Sequence, residues 1–318
     1  MNSSQLSLSP QRNRHQAAES SDSRRPIGFA AFVLLLVAIF SPQLVSLARY
    51  ALGTDIHSHI LLVPFVSAYL IFVQRKQFTA LYATSAAWGM VLLGAGVAAL
   101  LAAWKFGSGG YLNEGDSLSL VALSFVSLVI GGGFLFLGRK WMADAAFPFA
   151  FLLFMVPLPH GVVVWLETVS KVASAEMAAL LFSIAGTPVL RDGNVFQLPG
   201  IVIEVAQECS GIRSSWVLFI TSLLASYLFL KTPWRRAVLV SLVIPLAILR
   251  NGLRILTIGV LCVQFGPQMI NSVIHHCGGP LFFALSLIPL FLVIWWLRKG
   301  EARGQRLASP TSDLRPLI

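Results

Sequence analysis

The stretch VVVWLETVSKVASAEMAALLFSIAG, residues 162–186, decides how the chain is threaded. It is long and apolar enough to cross a membrane, yet it carries Glu167, Lys171 and Glu176, and charges inside a bilayer are costly enough to need a reason. Glu167 and Lys171 lie four apart on one helix face, where they can pair, which fits an amphipathic helix lying at the interface. Around it run eight cleaner apolar stretches, roughly 27–47, 58–73, 85–104, 117–137, 143–158, 212–230, 237–262 and 281–297. Each approaches the length of about 20 residues that a helical span requires.

Charge placement resolves the ambiguity. If 162–186 does not cross and the N-terminal tail is cytoplasmic, 16 of the 23 Lys and Arg residues fall inside, in groups at 12–25, 75–76, 139–140, 231–236 and 298–315. Only Arg49, Lys105, Arg191 and Arg213 fall outside. If 162–186 did cross, the groups at 231–236 and 298–315 would both be outside, breaking the positive-inside rule twice. Eight spans with both termini cytoplasmic is therefore the expected threading.

Composition agrees. Of 318 residues, 56% are hydrophobic and 11% charged, against about 25% charged in a soluble domain. A soluble globular protein is excluded, and the net charge of +10 reads as a record of orientation, so no nucleic-acid partner is expected. Three scattered cysteines, Cys209, Cys262 and Cys277, suit neither a disulfide framework nor a paired metal motif. The expected fold is all-α, a polytopic integral membrane helix bundle of about eight transmembrane helices. Residues 1–25 form a disordered cytoplasmic tail, 26–298 the transmembrane domain, and 299–318 a basic cytoplasmic tail. The long polar lead into 27–47 marks a retained anchor and not a cleaved signal peptide. No internal repeat or separate soluble domain is visible.

On this threading 187–211 and 263–280 lie on the outer side, as do five of the six histidines, His57, His59, His160, His275 and His276. Asn194–Leu198 and Ile201–Val205 flank Pro199-Gly200 and predict a short extracytoplasmic hairpin. It leads into Glu204-Val205-Ala206-Gln207-Glu208-Cys209-Ser210-Gly211-Ile212-Arg213-Ser214, the densest polar cluster outside the tails. Cys209 thus stands just before a helix N-terminus, where the helix dipole and nearby cations favour a nucleophilic thiolate. Arg250-Asn251-Gly252-Leu253-Arg254 sets two arginines four residues apart inside an apolar span, which marks a functional site. His275-His276-Cys277 precedes the last span and supplies a proton carrier. Together these provide a nucleophile, a cation for thiolate or oxyanion, and an acid for a leaving amine. Zinc is not expected, because His275, His276 and Cys277 are adjacent and the arginines repel a cation; no cofactor is expected either. Cys262, in an apolar stretch, is expected to pack.

These motifs resemble the exosortase/archaeosortase family of membrane-embedded cysteine transpeptidases. The resemblance rests on EVAQECSGIRS (204–214), NGLRI (251–255) and HHCGGPLFF (275–283), with Asp55 and HSHILLVP (57–64) as an earlier piece. It implies Cys209 as nucleophile, Arg254 as the arginine and His275 as the histidine four residues before a glycine, Gly279. The pair Gly278-Gly279 leaves His276 open as the alternative. Relatives often have Glu two before the cysteine where this chain has Gln207, so Glu204 or Glu208 is expected to serve; Arg213, Arg250, Asn251 and His59 complete the supporting set. The early motif departs too, reading Ser58-His59-Ile60. The implied partners are exported proteins with a C-terminal sorting signal, made of a Pro-Glu-Pro-type motif, an apolar helix and a basic tail. A membrane lipid or an amine is the implied acceptor. Two rival readings are an intramembrane cysteine protease that uses water and a transporter or channel with a charged pathway.

Overall fold

The computed structural model describes residues 25–75, 85–205, 211–271 and 273–308, and for Asp55, 270–271, 273–280 and 304–308 it describes the backbone alone. Of the disordered tail expected over residues 1–25, residues 1–24 lie outside these residues, as does the cysteine segment 206–210, while Arg25 already belongs to a helix. The chain forms two compact units that meet at residues 160 and 161.

In the first unit, α1 (Arg25–Ile39) and α2 (Ser41–Gly53) are bent 72° from one another. The break has a local cause: Pro42 in the first turn of α2 brings no backbone N–H to continue α1. Phe40 at the bend is buried and meets Phe125 edge to face, ring centroids 5.6 Å apart. A 3-10 turn (Asp55–Leu61) leads into α3 (Val63–Gln74), followed by α4 (Ala86–Ser108) and α5 (Glu114–Phe136). Helices α4 and α5 approach through small residues. A Cβ on Gly131 would stand 3.0 Å from the Leu93 nitrogen and 3.1 Å from the Gly89 carbonyl, and one on Gly96 would stand 3.1 Å from the Ser124 carbonyl. Such backbone contact is how helices associate where lipid removes the hydrophobic drive.

The stretch 143–158 differs from expectation. Instead of one span it is α6 (Gly138–Asp144), α7 (Ala146–Phe151) and a 3-10 turn (Leu152–Met155), ended by Pro157 and Pro159. Among the described residues six helices are long and apolar enough to cross a membrane. The number rises to eight if two broken pairs each count as one span: Arg25–Ile39 with Ser41–Gly53, and Ala146–Met155 with His160–Ile184. The stretch 162–186 therefore enters the count only as the continuation of 146–155.

The second unit holds α8 (His160–Ile184), strands β1 (Leu190–Asp192), β2 (Val195–Leu198) and β3 (Ile201–Glu204), then α9 (Ile212–Phe229), α10 (Pro233–Phe265) and α11 (Val273–Ala308). The predicted hairpin is β2–β3, with Leu198 opposite Ile201 and Gly200 at φ 81°, the type II pattern of Pro then Gly. A third strand, β1, pairs with β2 through Gly193 at φ 59°. Strand alternation turns Phe196 and Leu198 inward, where they join Phe182 and Ala178 of α8, Ile203 of β3 and Ile255 of α10 in one buried cluster. Phe182 and Phe196 are completely buried, their rings 5.6 Å apart. Gly259 makes room: a Cβ there would lie 2.6 Å from the Phe182 ring and 3.3 Å from Leu198. Glu176 is explained as well. Both its oxygens accept from Arg191 of β1, at 2.7 and 2.8 Å, while Arg191 Nε donates to the Gly193 carbonyl at 2.7 Å. That bond to Glu176 holds the Arg191 pKa above its ordinary value.

At the other end of this unit Leu218 and Ala225 of α9, Leu239 and Val243 of α10, and Leu290, Ile294 and Leu297 of α11 share a second core. Helix α11 begins at Val273, so His275 and His276 stand in its first turns and not in a loop before it. Replacing Phe196 with Ala should cost about 3–5 kcal/mol by loss of the ring and the cavity left behind. Thermal unfolding in detergent should show it, with Val202→Thr, on the exposed face, near wild type.

Candidate active site

The segment that carries Cys209 is held at both ends. On one side Val205 is buried, 2% exposed, and its N–H donates to the Asn194 carbonyl at 3.0 Å, continuing the hairpin past β3. On the other side Gly211 opens α9 in the left-handed region, φ 68° and ψ 10°. Its carbonyl gathers four donors: the Ser215 N–H at 3.0 Å, the hydroxyls of Ser214 at 3.1 Å and Ser215 at 2.8 Å, and Arg250 Nη2 at 3.2 Å. Arg250 Nη2 also donates to Ser215 Oγ at 3.0 Å.

Arg250 lies within α10 and is 6% exposed; Asn251 beside it is 3% exposed. A Cβ on Gly211 would stand 2.8 Å from Asn251 Oδ1, so both the backbone angle and the space demand glycine. Arg250 Nη1 is buried and finds no hydrogen-bond partner among the described residues. Arg250 is thus a buried cation with donor capacity to spare, fixed against Gly211 and Ser215, and such a group can receive an anion. Arg254 stands one turn further along α10, half-buried, on the same side as Arg250. Gly252 faces α8 instead, where a Cβ would meet Met177 at 2.6 Å.

The other candidates are distributed as follows. Glu204 ends β3 and is exposed, and Arg213 is exposed in the first turn of α9. Gln207, Glu208 and Cys209 lie outside the described residues, and the side chains of His275, His276 and Cys277 do too. Cys262 is buried in α10 at 3% exposure. In the first unit His59 belongs to the 3-10 turn and is half-buried, while His57 is buried and its Nδ1 lies 3.3 Å from Thr54 Oγ1. His57 Nε2 has no hydrogen-bond partner among the described residues. Sequence reasoning passed over Gly211 and Ser215. Their signal was a glycine followed by serines three and four residues later at the opening of a helix.

The family model described as transmembrane exosortase matches residues 51–292. The chain belongs to that family. The matched region covers most of the chain and encloses every candidate residue named above, from His59 to His276. Nothing matches among curated proteins or among solved structures. Membership brings with it a polytopic membrane helix bundle and a transpeptidase kind of role acting on exported proteins that carry C-terminal sorting signals. The exosortase is a multi-pass membrane protein, as its apolar helices require.

Gly211→Ala in this exosortase should lose about 1–3 kcal/mol from the left-handed backbone, and more from the overlap with Asn251. Pairing it with Asn251→Ala should return the steric part alone, which a double-mutant comparison of unfolding midpoints would separate.

Proposed function

We propose that this exosortase is a protein-sorting transpeptidase that cleaves a Pro-Glu-Pro-type C-terminal signal through Cys209. One observation carries the reading: buried Arg250 is hydrogen-bonded to Gly211 and Ser215, at the end of the segment that bears the cysteine. Two residues of chain reach at most about 7 Å, so Cys209 stays within that distance of Gly211. In the proposed reaction the Cys209 thiolate attacks the carbonyl carbon at the signal, forming a C–S bond and an oxyanion that Arg254 and Arg250 stabilise. The C–N bond then breaks, and His275, or His276 in its place, gives its proton to the leaving amine. The same histidine takes a proton from the acceptor, a lipid hydroxyl or an amine, whose attack on the thioester releases Cys209 as thiolate. Glu204, Glu208, Arg213, Asn251 and His59 are the supporting groups.

The proposed threading has eight spans, cytoplasmic termini and an extracytoplasmic site. The charge rule carries that threading, and the meeting of the groups at 231–236 and 298–315 agrees with its placing both on one side. Arg235 Nη1 donates to the Leu297 carbonyl at 2.7 Å, and Glu301 accepts from the Thr232 N–H at 2.6 Å.

Cys209→Ala should leave full-length substrate accumulating in the membrane; normal processing in that variant overturns the assignment. Arg250→Lys keeps the charge but not the planar fork, and should slow processing at least about tenfold, with Arg213→Ala milder. Mass spectrometry of the processed C-terminus separates transfer, which leaves an adduct, from hydrolysis, which leaves a free carboxylate.

A further inference from the structure

We propose that the end of the second unit where α10 begins and α11 finishes binds the phosphate of an anionic phospholipid. A cavity of about 440 Å³ opens there between Trp234 and Arg235 of α10 and Trp295, Trp296, Lys299 and Arg303 of α11. Its cations are set on aromatic faces: Arg235 Cζ lies 5.3 Å from the Trp234 ring centroid and Lys299 Nζ lies 5.0 Å from that of Trp295. Arg235 is further fixed by its bond to Leu297, yet its Nε is buried without a hydrogen-bond partner among the described residues.

The nearby carboxylate, Glu301, is drawn electrostatically to Arg235 but is engaged elsewhere by hydrogen bonds, which leaves Lys299 and Arg303, among the described residues, as the cations it does not pair with. Glu301 accepts from the Lys231 and Thr232 N–H groups and from the Thr232 hydroxyl. It thereby holds the residues that lead into α10, and among the described residues it forms no ion pair with Arg235, Lys299 or Arg303. The cavity therefore presents three cations, an unsatisfied donor and three indole rings 57–67% exposed.

Position selects the anion. The span Leu281–Arg303 is 23 residues long, about 35 Å of helix against a hydrocarbon core of about 30 Å, so its end reaches headgroup depth. Tryptophan at that depth belongs to the interfacial belt, with rings among the upper acyl chains. A ligand joining a phosphate to an apolar chain satisfies both walls of the cavity, whereas a free phosphate satisfies only the cations.

The test uses the full-length protein in nanodiscs of phosphatidylcholine containing phosphatidylglycerol, with co-purified lipid counted by native mass spectrometry. Wild type should retain phosphatidylglycerol in clear preference to phosphatidylcholine. Lys299→Gln with Arg303→Gln, both exposed, should weaken that retention roughly 25-fold, about fivefold for each charge. An unchanged unfolding midpoint in neutral detergent would confirm that the double variant is folded. Equal retention of the two lipids overturns the proposal, as does undiminished retention by the double variant. Displacement of phosphatidylglycerol by inorganic phosphate at equal concentration overturns the lipid assignment in favour of a simple anion site.

Discussion

A guanidinium buried inside a membrane helix must be given acceptors, and Arg250 has them on the opening turn of α9: the Gly211 carbonyl and the Ser215 hydroxyl. That demand fixes the rotation of α10. At 100° per residue Gly252 and Gly259 point almost directly away from Arg250, and those are the positions where α10 has no side chain, against Met177 and against Phe182 with Leu198. One face of α10 therefore bonds to the opening of α9 while the opposite face receives α8 and the small sheet. The sheet in turn anchors the chain ahead of 206–210 through Val205. Close packing at Val205 and polar bonding at Gly211 thus fix the chain on either side of 206–210.

The remaining charges are sorted by whether they can be satisfied locally. Glu176 breaks the apolar pattern of α8 but finds a two-point partner in Arg191 on β1, so its job is to hold the sheet to the helix. In the first unit the charges of α4 and α5, Lys105, Glu114 and Asp116, stand only in terminal turns, and the two helices obtain specificity from Gly89, Gly96 and Gly131 instead. These are different answers to one problem, since apolar side chains in lipid have little reason to prefer each other over acyl tails.

Much of this was legible in the residues. Hydropathy located the spans because length and apolarity are the requirement itself, and Pro199-Gly200 located a turn because few other pairs fit one. The polar runs at 204–214 and 250–254 stood out for the same reason, being costly where they are. Other features depend on three-dimensional context. Strand β1 is three residues long, and only its pairing to β2 makes it a strand. The division of 143–158 follows from Pro148 in the first turn of α7 and from Pro157 and Pro159, whose effects compete with an apolar composition that alone reads as a span. The motif resemblance points to Arg254 and gives Arg250 a supporting place; that Arg250 is the one that meets Gly211 depends on the rotation of α10, which a linear pattern does not show.

Glu301 gives the far end of the molecule an unexpected weight. In the sequence it lies among basic residues past the last apolar run, the kind of region usually trimmed without thought. In the folded chain it is the acceptor for the Lys231 and Thr232 N–H groups that lead into α10, reaching Thr232 from 69 residues away. Shortening the protein there would unseat the beginning of the helix that carries Arg250, so an edit near the C-terminus would register where Arg250 meets Gly211.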